Sequence, residues 1–352
     1  MAQSSSSLLG NQRVLNSLRT LGLALAIVLI AVIVQSQRPA FLSPENLLTL
    51  VRSMVALGMV ACAQMLVILL GEIDLSVGAV YGLAATVTAT LWLGGGSLPF
   101  TVPLLVALAA GLAMALVAGG INGFLTVRAG LPSFITTLGI MNVADGTSLL
   151  IGNATTFTPA YNDPLPPEWE LDFFHGLGGA LMRFDIPVET LWLVAAFILF
   201  WILRHRTVFG FRLLAMGGNP EAARVARLPL KKYKYAVFLL SSLMAGIAGI
   251  LDFSYVGSVG PTQSSALSFQ VIAAVVIGGA SLNGGRGTIV GTLLGVVLLA
   301  MLNNGLALLG VGSFVQLLFI GLVTIAAVWL DLVSQKLIRS AGQRAARSGE
   351  AA

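Results

Sequence analysis

An all-α, polytopic membrane helix bundle of about ten transmembrane helices, with two pseudo-repeated halves, is the fold that this sequence predicts. Three observations carry the prediction. The chain is 57% hydrophobic and 9% charged, with a mean hydropathy of +0.94, which lies outside the range of soluble domains. Its apolar runs recur at the roughly 20-residue length that a bilayer core of about 30 Å demands of a helix. With ten spans and the N-terminus inside, sixteen of the 19 Lys and Arg residues fall on one side, leaving Arg38, Arg52 and Arg183 on the other. Cytoplasmic loops carry that excess, so both termini are expected in the cytoplasm. Lipid offers unpaired backbone groups no partner, so the runs must be helices, and the alternating segments of a membrane barrel are absent.

The first span covers about 20–36, behind an N-terminal tail of residues 1–19. Arg13 and Arg19 precede it as in a signal peptide, but no small-x-small cleavage site follows in Q35-S-Q-R-P-A, so it is read as an uncleaved helix. Spans two and three, about 51–70 and 75–93, flank the break at 71–74; eight spans, with this pair re-entrant, is the alternative count. At the break, Glu72 and Asp74 either cap the next helix, Asp74 with Leu75 as first helical residue, or line a path. Spans at 100–127 and 131–151 follow. The outer loop 152–187 carries Asp163, Glu168, Glu170, Asp172 and Asp185 among four prolines. It is either a cover or a docking surface for a soluble partner. The sixth span is 188–203, the cytoplasmic loop 204–235, the remaining spans 236–256, 267–283, 287–309 and 313–331, and the C-terminal tail 332–352. The whole chain is read as one transmembrane domain.

Two pairs of segments suggest a duplication. Gly71, Leu75 and Gly78 fall opposite Gly278, Leu282 and Gly285, and Asn122-Gly123 precedes Ser133-Phe134 as Asn304-Gly305 precedes Ser313-Phe314. Gly78-x-x-x-Gly82 and Gly287-x-x-x-Gly291-x-x-x-Gly295 are rows that let helix backbones approach closely.

Enzyme classes find little support. There is no Gly-Lys dipeptide and so no P-loop, no H-E-x-x-H and no G-x-S-x-G. Cys62 is the single cysteine, and His175 and His205 stand apart, without metal spacing. No cofactor or metal is expected. Polar groups inside spans are costly and therefore informative: Gln64, Glu72, Asp74, Asn122, Asn142, Asp145, Gln270, Asn303, Asn304 and Gln316. Amides both donate and accept, which suits a hydroxyl-rich solute; ordinary interhelical hydrogen bonding is the competing reading of each. Asp74, Asn122, Asp145, Asn303, Asn304 and Gln270 are taken as the substrate pathway.

The stretch G217-G-N-P-E-A-A-R-V-A-R-L-P-L-K-K-Y-K234 gathers cations in an otherwise apolar chain. Asn219 is a fair N-cap, Pro220 suits the first turn, and Glu221 places an anion at the helix start. A short helix ending near Leu228-Pro229 would present Ala222, Ala223 and Ala226 as a small face for insertion into a cleft, with Arg224 and Arg227 sharing a side. Topology needs only loose charge, so a capped Ala-rich helix points to docking in a partner protein.

Five stretches together resemble a known family: G71-E-I-D-L-S-V-G78, L131-P-S-F-I-T-T-L-G139, G217-G-N-P-E-A-A-R224, I272-A-A-V-V-I-G-G-A-S-L-N-G-G-R-G287 and M301-L-N-N-G-L-A-L-L-G-V311. They resemble the membrane permease of carbohydrate ABC importers, the ribose, xylose and galactoside group, over about residues 45–333, and the ribose type most. The resemblance implies a pair of permeases (two copies or two related chains), two cytoplasmic ATPase subunits that bind the ATP, and a periplasmic sugar-binding protein. It makes Gly217, Gly218, Asn219, Glu221, Ala222, Ala223 and Arg224 the coupling helix. Glu72 stands where the family usually has Gly, and Ser268 and Gln270 where it often has acids, so the solute is left open among sugars, polyols, nucleosides and signalling sugars. The rivals are a proton-coupled secondary transporter using Asp74, Asp145 or Asp252, and a membrane enzyme.

Overall fold

The computed structural model describes residues 21–98, 100–182, 185–260, 266–326 and 329. The expected tails 1–19 and 332–352, the end of the tenth span and Arg183 lie outside the described residues. In order, the helices are α1 (Leu21–Gln37), α2 (Pro44–Leu69), α3 (Val77–Leu93), α4 (Leu104–Val127), α5 (Ser133–Gly152), α6 (Glu168–Gly178), α7 (Glu189–His205), α8 (Val208–Gly218), α9 (Pro220–Val225), α10 (Leu230–Val256), α11 (Leu267–Ile277), α12 (Ile289–Leu308) and α13 (Ser313–Ala326). Helices α2, α4, α5, α10 and α12 are long and apolar enough to cross a membrane; α7 and α8 pass as a pair bent by 67°, and α1, α3, α11 and α13 are shorter apolar helices. These occupy the ten predicted places.

Boundaries differ where polar residues are helical. α2 starts seven residues before the expected position because Ser43 accepts from the Asn46 N–H (3.3 Å) and Pro44 takes the first turn. α10 begins at Leu230 and carries Lys231, Lys232 and Lys234 within it. α11 is shorter than the run 267–283 because Gly278 and Gly279 (φ 93°) end it.

α2 and α10 form the buried centre and run antiparallel. Arg52, near the start of α2, sits 5.1 Å from the ring centroid of Tyr255, near the end of α10, while Glu72, just past α2, pairs with Lys234 near the start of α10. α3 lies against α4, α5 and α10. A Cβ added to Gly249 of α10 would stand 2.1 Å from the Tyr81 carbonyl oxygen, and one on Gly111 of α4 2.6 Å from that of Ala84. Backbones therefore touch on two sides of α3 with no side chain between them. The row at Gly291 and Gly295 does the same within the chain, packing α12 on the carbonyls of Gly278 and Ala274.

The two halves are α2–α5 and α10–α13. Each runs long helix, short helix, long helix, outer helix, and each element opposes its counterpart in direction. α4 starts beside Glu170 of α6 and ends with Gly123 against Tyr235; α12 starts past the Gly285–Leu69 contact and ends with Asn304 on Asn46. This is an inverted repeat. It keeps the match of Asn122/Ser133 with Asn304/Ser313 and overturns that of Gly71 with Gly278. The break at 70–76 separates the first two helices of its half, whereas 278–288 separates the second and third of the other.

Candidate functional site

The predicted docking helix exists, and more precedes it than the sequence suggested. Thr207 caps α8 by accepting from Gly210 N–H (3.3 Å), so the loop 204–235 folds back as a helix, with Leu213 and Met216 buried. Asn219 then caps α9, its Oδ1 accepting from Ala222 N–H at 2.9 Å, with Pro220 in the first turn. Glu221 and Arg224 pair at 3.2 Å across one turn, both largely exposed. α9 ends at Val225, and Arg227 (φ 57°) turns the chain towards α10, so Arg224 and Arg227 do not share a helical face. Ala223 is buried against the body; the free face is Ala222, Val225 and Ala226. Gly217 is buried where a Cβ would meet the Leu69 carbonyl oxygen, and Gly218 is exposed.

Asp74 and Asn122 are brought together, in a closed polar core. Asp74 Oδ1 accepts from the Ser76 N–H (2.9 Å) and hydroxyl (2.6 Å), and Asn122 Nδ2 donates to Ser76 Oγ (2.8 Å). Gln64 Nε2 donates to the Asp74 carbonyl (3.1 Å), and Gln64 Oε1 accepts from the Ser241 hydroxyl (3.3 Å). Asp74 thus closes an Asx turn and does not cap α3, which begins at Val77 with no side-chain cap. Glu72 caps nothing either; it pairs with Lys234. Around this core Thr137 accepts from Leu75 N–H (3.1 Å) and Ser133 from Ile73 N–H (3.2 Å). Ser268, at the start of α11, donates to the Leu75 carbonyl (2.7 Å) and accepts from Gly78 N–H (2.9 Å). The starts of the two short helices therefore share one hydroxyl.

The other pathway candidates lie elsewhere. Asn304 exchanges two 2.9 Å hydrogen bonds with Asn46, which precedes Gln64 by 18 residues, or about 27 Å, along α2. Asn303 is its neighbour, with Oδ1 unpartnered. Gln270 is half-buried on α11. Asp145 is half-buried on α5, one turn from the exposed Asn142. Of the outer acids, Glu170 is buried, accepting from Trp92 Nε1 (2.6 Å) and Leu104 N–H (3.1 Å). Phe174 stacks between Trp92 and Phe253 at 4.9 and 4.8 Å. Within the 152–187 loop, α6 is thus a helical cap; Trp169, Asp172 and Phe173 face out from it. Sequence reasoning missed the hydroxyls of Ser76, Ser133, Thr137 and Ser241, and the buried Glu189; Ser268 it noted only as standing where the family often has an acid. Only Glu189 carried a signal, an acid in the first turn of an apolar span.

Residues 46–328 match the family described as branched-chain amino acid transport system / permease component. The chain belongs to that permease family. Among its relatives, the ribose import permease protein RbsC of Bacillus subtilis is 38% identical over 89% of this chain and 93% of that protein. The RbsC of Escherichia coli strain K12 is 33% identical over 87% and 92%, and the L-arabinose ABC transporter permease protein AraH of Azospirillum brasilense 34% identical over 83% and 81%. A solved structure, PsaBC from Streptococcus pneumoniae in complex with Fab, is similar at a TM-score of 0.44 and 16% identity, over 83% of this chain and 92% of that one. Permease membership makes the chain the non-catalytic membrane component of an ABC-type importer, which sets aside the stand-alone secondary transporter and the membrane enzyme.

Proposed function

We propose that this permease moves a monosaccharide or a related polyhydroxylated solute into a bacterial cell, by alternating access driven by partner ATPases. Relatives named for ribose and arabinose import support the solute class. Sidedness follows from the cations. Ten of the described Lys and Arg residues sit at the α8–α9 end and two, Arg38 and Arg52, at the α6 end, so α9 faces the cytoplasm and α6 the periplasm. α9 docks in an ATPase subunit through Glu221, Ala222, Arg224 and Val225, and the Trp169–Asp172–Phe173 face of α6 receives the binding protein.

One observation supports a solute path along α5. α4 and α7 turn aliphatic and aromatic side chains outward, Val106, Val117 and Phe124 on one and Val194, Ile198 and Leu199 on the other. α5 turns out apolar side chains too, among them Phe134, Ile135, Val143 and Leu150, but interrupts them with Gly139, Asn142 and Gly146, with Asp145 at the margin. Among the described residues, Asn142 is the exposed side-chain amide in mid-span; its Nδ2 donates to the Leu138 carbonyl (2.9 Å), and lipid offers its Oδ1 no donor. The path therefore runs along α5, between this chain and a second permease, rather than through the sealed Asp74–Asn122 core. The test is uptake of ribose, arabinose, xylose, galactose and ribitol by vesicles holding the permease with its ATPase and binding protein. Saturable uptake of one of them that needs ATP, and is slowed by Asn142→Leu, is the expected result. Uptake that ignores ATP, or that Asn142→Leu leaves intact, overturns the respective part.

A further inference from the structure

Three backbone segments from distant parts of the chain meet without side chains between them. Gly285 N–H donates to the Leu69 carbonyl at 2.9 Å. A Cβ added to Gly217 would lie 1.7 Å from that same carbonyl oxygen and 2.8 Å from Gly285 N. One on Gly284 (φ 80°) would lie 2.8 Å from Gly71 N and 2.9 Å from the Gly217 carbonyl oxygen, and one on Gly285 (φ 71°) 2.5 Å from Gly218 Cα. Glycine is required twice over at residues 284 and 285, for the left-handed backbone and for the contact.

Each participant has a definite place. Leu69 ends α2; Gly217 lies two residues before the Asn219 cap of α9; Gly284 and Gly285 belong to the break between α11 and α12. The chain leaving α9 returns to the same spot, because Lys234 of α10 pairs with Glu72, which sits 12% exposed in the α2–α3 break. α9 is therefore held on both flanks by residues 69–72: by backbone contact before it and by an ion pair after it. From residues 69–72 the chain leads within a few residues to the Asp74–Ser76–Asn122 bonds and to the hydroxyl of Ser268 that ties α3 to α11.

We infer that residues 69–72 receive the displacement of α9, with Glu72 and Lys234 as positioning residues that hold the receiver to it. This rests on the reading of α9 as the ATPase-docking helix. Packed backbones shift as units rather than deform, so a pull on α9 reaches both helix breaks together, through Leu69 and through Gly284–Gly285. Glu72 and Lys234 act by keeping two segments in register through their ion pair.

The experiment uses the permease with its ATPase and binding protein in lipid discs, measuring ATPase capture, basal ATP hydrolysis, solute-stimulated hydrolysis, and ATP used per solute moved in vesicles. Glu72→Lys and Lys234→Glu are each expected to leave capture and basal hydrolysis intact, to lower stimulated turnover about fivefold or more, and to raise ATP used per solute. The double variant Glu72→Lys/Lys234→Glu should recover coupling, and Glu72→Gln, which keeps shape without charge, should show an intermediate loss. Singles that couple as well as the parent, or a double variant no better than the worse single, overturn the inference. Glu221→Lys/Arg224→Glu separates it from the reading beneath. Loss of ATPase capture there, with normal coupling in the Glu72 and Lys234 variants, sinks this inference alone. Undisturbed capture sinks the docking role of α9.

Discussion

Glu170 should decide whether α6 stays fastened to the bundle. Its carboxylate holds two donors from different helices, Trp92 Nε1 at 2.6 Å and the Leu104 N–H at 3.1 Å, and the side chain is 4% exposed. Hydrogen bonds to a charged group contribute about 1.5–3 kcal/mol each. Glu170→Ala deletes both and leaves an indole N–H and a backbone N–H buried without acceptors, a local cost of about 3–6 kcal/mol. Glu170→Gln keeps one acceptor oxygen and turns an N–H₂ towards the other donor, so it should cost at least the lower end of that range. The Phe174 contacts with Trp92 and Phe253 remain in both variants, so α6 should loosen without the bundle unfolding. Hydrogen exchange in lipid discs reads this directly. At about 1.4 kcal/mol per tenfold, the Leu104 amide and the α6 amides should exchange about 100-fold faster or more in Glu170→Ala, with α2 and α10 unchanged. Unchanged protection of Leu104 would refute the pinning role of this carboxylate; a loss spread over α2 and α10 would refute the locality of the cap.

Three further outcomes follow from particular contacts. Asn46→Ala and Asn304→Ala break one reciprocal pair, so a double-mutant cycle on thermal unfolding should give a coupling of about 0.6–1.7 kcal/mol, with the KM for uptake unmoved. Gly249→Ala puts a methyl 2.1 Å from the Tyr81 carbonyl oxygen, whereas Gly120→Ala meets only Leu239 at 4.0 Å; the first should lower stability in detergent by about 1–3 kcal/mol and the second should not. Ser268→Ala strands the Gly78 N–H and the Leu75 carbonyl, which should cost about 1–3 kcal/mol, seen as faster exchange of the Gly78 amide.

Apolar helices at the ten places were legible because bilayer thickness favours long apolar runs and lipid forbids unpaired backbone, two constraints that act on sequence directly; that α1, α3, α11 and α13 are shorter was not. The helix of α9 was legible for a local reason, the Asn219–Pro220 cap. α6 was not read as a helix, although Pro167 and the acids at 168 and 170 are start signals, because the prolines around it read as loop. The polar core was found at Asp74 and Asn122, which the structure joins through Ser76 in a closed hydrogen-bonded turn. Its hydroxyls carry no sequence signal, since Ser and Thr sit cheaply in membrane helices, and the contact of Ser268 with Gly78 joins residues 190 positions apart. The register of the repeat failed for a related reason. Glycine-rich breaks resemble one another wherever they occur, while the order and direction of helices, which set the true register, are properties of the fold.

α3 is where these strands meet. Its 17 residues span about 25 Å at 1.5 Å per residue. One end is joined to the receiver at 69–72 through the Asp74 turn, and the other carries Trp92, which holds Glu170 of α6. Between them the helix lies close against α10 where Gly249 faces the Tyr81 carbonyl, and against α4 where Gly111 faces the Ala84 carbonyl and the Thr88 hydroxyl. A rod clamped in that way transmits a shift along its axis with little loss, because the interior on either side is close-packed and resists compression. The proposed ATPase-docking helix α9 and the cap α6 are thus connected by one short helix and two polar fastenings, the Asp74–Ser76–Asn122 bonds at one end of α3 and the Trp92–Glu170 bond at the other.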